Sequence, residues 1–457
     1  MTGRKLSIAA ALLLATALTV APRAQAQSGL TYTSGIQVQN LSDQQATVQI
    51  EFYREDTQAI ETTATISGEI LAPNANKTYF PLASVPSGFK GSAVITSNQP
   101  VAAITNLLGN NGAYAGSATG LTAGSTNVGL PLIMRGNSGF NTFFSVQNAG
   151  TAPATVNISY TPGSDGNPLN EPAVTIAPGA SRTFDQGARP ELGDKFIGSA
   201  SITSDQPLVA MVSQVGTTVF KSLLMYDGFS GGSTSISAPL IMANNNGFFT
   251  GLSIQNVGTK AIDVTVTYGA NTAPGSSFQP ASQTLILNPR ESGALIQNGG
   301  QWAGKTFVGS ATITSAGVSG DVAQPLVAVV NQLRGGAQLG TAYEGINPTV
   351  GITDKVSAPL LMNNNSGYFT GIQCQNLGNA SATITVDYVG TDAANDQATN
   401  VATGNSVTFF QNTAKFGTDR FIGSGTITSS QPVACLVNQV SLIGSGDSFL
   451  TYNGINY

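Results

Sequence analysis

The chemistry open to this chain is limited first by what could act as a nucleophile. Gly228-Phe229-Ser230-Gly231-Gly232 matches the G-x-S-x-G pattern. That pattern works on a strand-to-helix elbow with a histidine to take the serine proton. The 457 residues contain no histidine, so imidazole bases and His-ligated zinc are excluded, and the motif reads as a Gly/Ser linker. Two cysteines, Cys374 and Cys435, are too few for a Cys₄ or iron–sulfur site. The 23 acidic residues are scattered, and none form the calcium-loop run of alternating Asp and Asn. Asn244-Asn245-Asn246 and Asn363-Asn364-Asn365 could offer carbonyl oxygens to a cation, but Asn is also what left-handed turn positions select. Trp302 is the single tryptophan, and local packing accounts for it better than sugar stacking. No catalytic residue, metal ligand or cofactor is expected.

Composition supports the same conclusion. Only 9% of the chain is charged and the net charge is −5, which argues against a nucleic-acid partner. Polarity must come from Ser, Thr, Asn and Gln, which decorate strand faces and turns. Residues 1–26 read as a secretory signal: Arg4 and Lys5 are the positive start, Ile8 to Val20 the apolar stretch, and Ala24-Gln25-Ala26 the cleavage site. No second apolar span follows, so the mature chain is expected to be extracellular or at the cell surface, with no membrane span, in an oxidising compartment.

The elements that must position any site repeat four times. Gln-Asn recurs at Gln39, Gln147, Gln255 and Gln375, at intervals of 108, 108 and 120 residues. An alternating triplet follows each pair: Val48/Ile50/Phe52, Val156/Ile158/Tyr160, Val264/Val266/Tyr268 and Ile384/Val386/Tyr388. Phe-x-Gly-Ser comes next, from Phe89, Phe196, Phe307 and Phe421, and then Gln-Pro, at Gln99, Gln206, Gln324 and Gln431. Tyr-x-Gly closes each copy, from Tyr114, Tyr226, Tyr343 and Tyr452. Period-two alternation between frequent turn signals predicts strands, one face buried and one wet. A unit of this size with about seven short strands has the profile of an immunoglobulin-like sandwich. The expected architecture is all-β: four tandem immunoglobulin-like antiparallel sandwiches after a cleaved signal. The boundaries are 1–26 for the signal, then 27–122, 123–233, 234–353 and 354–457, with linkers near 117–126, 230–237 and 346–357.

Cys374 and Cys435 stand where copies 1–3 have Val38 and Ala103, Val146 and Ala210, and Ile254 and Ala328. Both positions change together, so the two residues should touch, and a disulfide bridging the two sheets across the core is expected; two buried free thiols are the alternative. A Pro-Leu-Ile-Met type strand precedes copies 2–4: Pro131-Leu132-Ile133-Met134, Pro239-Leu240-Ile241-Met242 and Pro359-Leu360-Leu361-Met362. Proline at a strand start suits an edge. Copy 1 has no such strand and none follows Tyr452. One terminal copy therefore lacks an edge element: the first if the strand belongs to the copy after it, the last if to the copy before. Either that terminal copy manages with one strand fewer, or its open edge accepts a strand from a neighbour or a partner by β-augmentation.

The unit running from Pro359 through Gln375-Asn376, with Phe421-Ile422-Gly423-Ser424 and Gln431-Pro432 after it, resembles a repeat of uncharacterised exported proteins of filamentous bacteria. The resemblance covers nearly all of the chain beyond the signal and implies a cell-surface or extracellular-matrix role without any catalytic residue. The expected function is a secreted structural protein, a component of a surface layer, sheath, filament or matrix, that self-associates or binds cell-surface components. A carbohydrate-binding adhesin, with a glycan as partner, is the alternative.

Overall fold

The computed structural model describes residues 8–14, 29–73, 75–271, 278–336, 339–418, 420–441, 443–444 and 446–456. Among them are antiparallel strands joined by turns and short 3-10 segments, with no α-helix. The protein is all-β and sandwich-like. The chain divides into two compact units, Met1–Gly231 and Gly232–Tyr457, each holding two of the sequence copies. The expected signal cleavage site at residues 24–26 lies outside the described residues.

Copies 1 and 3 each form two four-stranded sheets, and in copy 4 Ile455–Asn456 adds a fifth strand beside Lys355–Asn363. In copy 3 the first runs Ser235–Ala243, Phe307–Gly317, Ile262–Ala270, Gln283–Leu287, and the second Ser292–Ile296, Phe248–Asn256, Leu326–Arg334, Leu339–Glu344. In copy 2 Phe196–Gly216 is continuous and joins the strands into one eight-stranded sheet, and two short strands, Leu169–Asn170 and Val174–Ile176, pair with Ala154–Asp165. Phe196–Gly216 pairs with Ser125–Arg135 and Ala154–Asp165 early, and with Phe140–Asn148 and Leu223–Asp227 late. In every copy the first, or entry, strand lies beside the Phe-x-Gly-Ser strand. This is not the ABED/CFG order of an immunoglobulin domain. Part of each expected linker is strand as well, for example the ends of Tyr114–Thr119 and Ser125–Arg135 that fall in 117–126.

The landmark residues have structural reasons. The triplet side chains point into the core: Val264 and Val266 are fully buried and Tyr268 nearly so. The motif asparagine ties the two layers together. Asn256 Nδ2 donates to Leu287 O at 3.0 Å and Lys260 O at 2.7 Å, while its Oδ1 accepts from Gly258 N at 2.9 Å. Asn148 and Asn376 repeat this set. The glycine of Phe-x-Gly-Ser is imposed by its neighbour strand. A Cβ there would lie 1.8 Å from Tyr53 O at Gly91 and 2.2 Å from Gly269 O at Gly309.

Two expectations are corrected. Cys374 and Cys435 are bonded, but they do not bridge the sheets. They face each other in register on the neighbouring strands Tyr368–Asn376 and Val433–Ser441 of one sheet, with Cα atoms 4.1 Å apart. Val38 and Ala103, Val146 and Ala210, and Ile254 and Ala328 are the same cross-strand pair. The joint substitution does report a contact. Sequence spacing cannot say whether that contact runs across the core or along the ladder.

The second correction concerns proline. Pro131, Pro239 and Pro359 stand inside the entry strands rather than at their starts. In each, the register with the Phe-x-Gly-Ser strand shifts across the proline, between Ala238 and Ile241 in copy 3 and at the same place in copies 2 and 4. Proline has no N–H to give the ladder, so it is accommodated at a bulge.

Candidate strand-docking edge

A bulge leaves main-chain groups without ladder partners, and burying them unpaired is costly. In copies 2–4 one side chain supplies both. Tyr343 Oη donates to Leu240 O at 2.7 Å and accepts from Leu240 N at 3.2 Å. Tyr226 does the same for Leu132, and Tyr452 for Leu360. Burial pushes the Tyr343 and Tyr452 hydroxyls up, well above the ordinary tyrosine range. A threonine secures the next turn of the same strand: Thr250 Oγ1 accepts from Met242 N at 3.1 Å and donates to Met242 O at 3.2 Å. Thr142 and Thr370 match it on Met134 and Met362. The entry strands Ser125–Arg135, Ser235–Ala243 and Lys355–Asn363 are therefore locked into the copy that follows them. The expected donor residues belong to their own cores: Ile133, Ile241 and Leu361 are fully buried, and Met134, Met242 and Met362 are close to it. The tyrosine clamp was visible in the sequence only as the recurrence of Tyr-x-Gly after Pro-Leu; nothing in the spacing says the two meet.

Copy 1 departs from this. Pairing of Val101–Gly109 with Tyr114–Thr119 puts Ala118 opposite Thr105, six residues after Gln99. Tyr226, Tyr343 and Tyr452 stand opposite the residue six after their own Gln-Pro glutamine. Ala118-Thr119-Gly120 is thus the equivalent of Tyr-x-Gly, and Gly120 N donates to Ala103 O as Gly345 N does to Ala328 O. Tyr114 is not a fourth clamp. Copy 1 lacks the proline strand and the tyrosine together, because each has a purpose only where the other is present.

The place of the entry strand in copy 1 is taken by Ile8–Leu14, within the segment read as the signal. It pairs antiparallel with Gly91–Ser97, from Leu14 opposite Gly91 to Ile8 opposite Ser97, without a register shift. The entry strands of copies 2–4 pair with the Phe-x-Gly-Ser strand of the copy after them. The copy with the unusual edge is therefore the first.

The copies join within each unit by a repeated set of bonds. Ser92 Oγ donates to Gly179 O at 2.7 Å in the first unit, and Ser310 Oγ to Gly404 O at 2.6 Å in the second. Gln147 and Gln375 Nε2 each reach a carbonyl of the preceding copy, Ala93 O and Ala311 O, at 3.3 Å. The serine of Phe-x-Gly-Ser in copies 1 and 3 and the glutamine of Gln-Asn in copies 2 and 4 are thus residues of contact between copies, a role that spacing alone did not reveal. No family model and no curated protein matches the chain. Among solved structures, a protein of Thermotoga maritima is 20% identical over 23% of this chain and 94% of its own, with a TM-score of 0.20. An α-L-rhamnosidase of Streptomyces avermitilis, solved with L-rhamnose, is 9% identical over 88% of this chain and 54% of its own, with a TM-score of 0.12. Neither likeness bears on what this chain does.

The remaining sequence candidates have structural places. Trp302 is buried against Tyr268, Phe278 and Phe307, with ring centroids 4.9–5.9 Å away, and presents no open face for a sugar. Asn244, Asn246 and Asn364 have φ of 45–51°, the left-handed conformation of tight turns. Gly228-Phe229 bonds to Gly129 and Ala210 as extended chain rather than as an elbow. No group of three His, Cys, Asp or Glu is placed to hold a metal among the described residues, and none of the described helical segments is long and apolar enough to cross a membrane.

Proposed function

We propose that the chain is an exported structural protein of the cell surface or extracellular matrix, without catalysis, that associates through the strand edge of its first copy. The reading rests on one observation: the strand that completes copy 1, Ile8–Leu14, lies in the segment with the features of a signal. Removing that segment would leave Gly91–Ser97 with a row of main-chain donors and acceptors on one side, which is a template for another strand. The Cys374–Cys435 disulfide is compatible with an oxidising exterior. Head-to-tail contacts of this kind are heterologous and build filaments.

The test uses residues 27–457, purified without the signal, in sedimentation and electron microscopy. Association that grows with concentration, or fibres, is expected. A chain that sediments as a monomer at high concentration and forms no fibres overturns the reading. The adhesin alternative gains nothing from Trp302, which is buried.

A further inference from the structure

The same copy-to-copy contact is filled in one unit and hollow in the other. In the first unit, Tyr32, Leu107, Phe143, Met211, Val215 and Met225 belong to one buried apolar cluster between copies 1 and 2. In the second unit the corresponding buried cluster is Leu339, Val440 and Phe449. Beside it lies an open cleft of about 380 Å³, within the range of about 300–1,000 Å³ typical of small-molecule sites.

Several positions differ, with Gln332 and Thr451 standing where the first unit has Leu107 and Met225, and one further position removes a ring. Thr142 and Thr370 make equivalent bonds to Met134 and Met362, so the residues after them, Phe143 and Gly371, correspond. Phe143 is buried with its ring centroid 6.0 Å from that of Tyr32. Gly371 supplies no ring and lines the cleft instead. Opposite Gly371 stands Phe410, 49% exposed, on the cleft wall. Phe248, Phe369 and Phe449 add further apolar wall.

One charge faces this space. Arg334 is the only charged residue of the lining. Its guanidinium carbon lies 5.4 Å from the Phe248 ring centroid, and its Nε donates to Asn246 O at 3.2 Å. No carboxylate pairs with it among the described residues. Aromatic walls with one unneutralised guanidinium fit a ligand with an apolar body and a single anionic end. We infer that the cleft between copies 3 and 4 binds a small amphipathic monoanion, its apolar part replacing the ring that Phe143 provides in the first unit and its anionic group at Arg334.

The test is calorimetric titration of the full chain with dodecanoate below its micelle concentration, with dodecan-1-ol and dodecyltrimethylammonium as controls. Saturable binding at one site is expected, weaker by about tenfold or more for both controls. Gly371→Phe, which copies the residue of the first unit, should abolish binding. Arg334→Gln should weaken dodecanoate by about tenfold and leave dodecan-1-ol unchanged. The far-ultraviolet spectrum and melting curve of each variant report whether it has folded. Absence of saturable binding, or binding unaffected by either substitution, would overturn the inference.

Discussion

The two units place their cohesion differently. Between copies 1 and 2 a buried cluster containing Tyr32, Phe143 and Met225 joins the second layers of the two copies. Between copies 3 and 4 the apolar cluster is small, and a network of polar groups stands beside it: Gln332 Nε2 donates to Asn438 Oδ1 and Thr451 Oγ1, both at 3.1 Å. The Cys374–Cys435 disulfide belongs to the second unit. Equivalent bonds from the Ser92 and Ser310 hydroxyls to main-chain carbonyls recur in both. The contact therefore depends on the backbone and the motif residues, and the side chains between are free to fill the space or leave it.

Cutting the disulfide should have the largest effect. The double change Cys374→Val with Cys435→Ala installs the residue types of copy 2 and removes a loop of 61 residues' separation. About 4 kcal/mol should be lost. Calorimetry should show the second unit melting earlier, and added reductant should shift the variant no further. A first-unit transition that moved equally would erase the contrast. Phe143→Ala should cost about 3 kcal/mol in the first unit. It should also open there a cleft like that beside Gly371, detectable as new binding of an apolar dye.

The clamp gives the next effect. Tyr343→Phe leaves Leu240 N and O buried without their partner and should cost about 2 kcal/mol by denaturant titration. A similar loss is expected for Tyr226→Phe in the first unit, because the clamp, unlike the cleft, is common to both. Alkaline pH reads the same group. The folded state holds Tyr343 and Tyr452 protonated above the ordinary tyrosine range, while the unfolded chain releases those protons near pH 10. Their contribution is complete below pH 10 and falls as pH rises through the raised folded values. Stability should drop above pH 10, and Tyr343→Phe should make that slope shallower by up to about 1.4 kcal/mol per pH unit. The smallest effect is expected for Ser92→Ala and Ser310→Ala, about 1 kcal/mol each and alike in the two units.

How much of this was legible in the sequence can be read from particular residues. The triplets reported the buried faces, because period two is a property of an extended chain. Copy number and the kinship of Cys374 with Cys435 were legible because repetition compares the chain with itself. Pro131, Pro239 and Pro359 were recognised as edge residues but placed at the wrong point of the strand, since a bulge depends on the partner's register. Tyr114 was aligned with the clamps by its motif alone. The pairing of Gly109 with Tyr114 shows that the motif had slipped by four residues from the position opposite Thr105.

The sequence by itself determined that the chain is all-β, repeats four times and has no histidine chemistry, because composition and periodicity are properties of the chain before it folds. Tertiary structure decided which contacts those residues make. It put the cysteines side by side in one ladder, gave each entry strand to the copy after it, and set Ile8–Leu14 in the place that copy 1 leaves vacant. It also left a cleft at Gly371 where Phe143 fills the equivalent space. These outcomes turn on which strands become neighbours. Pairing across long stretches of chain is settled by the whole set of hydrogen bonds and buried side chains acting together, and no local pattern carries that information.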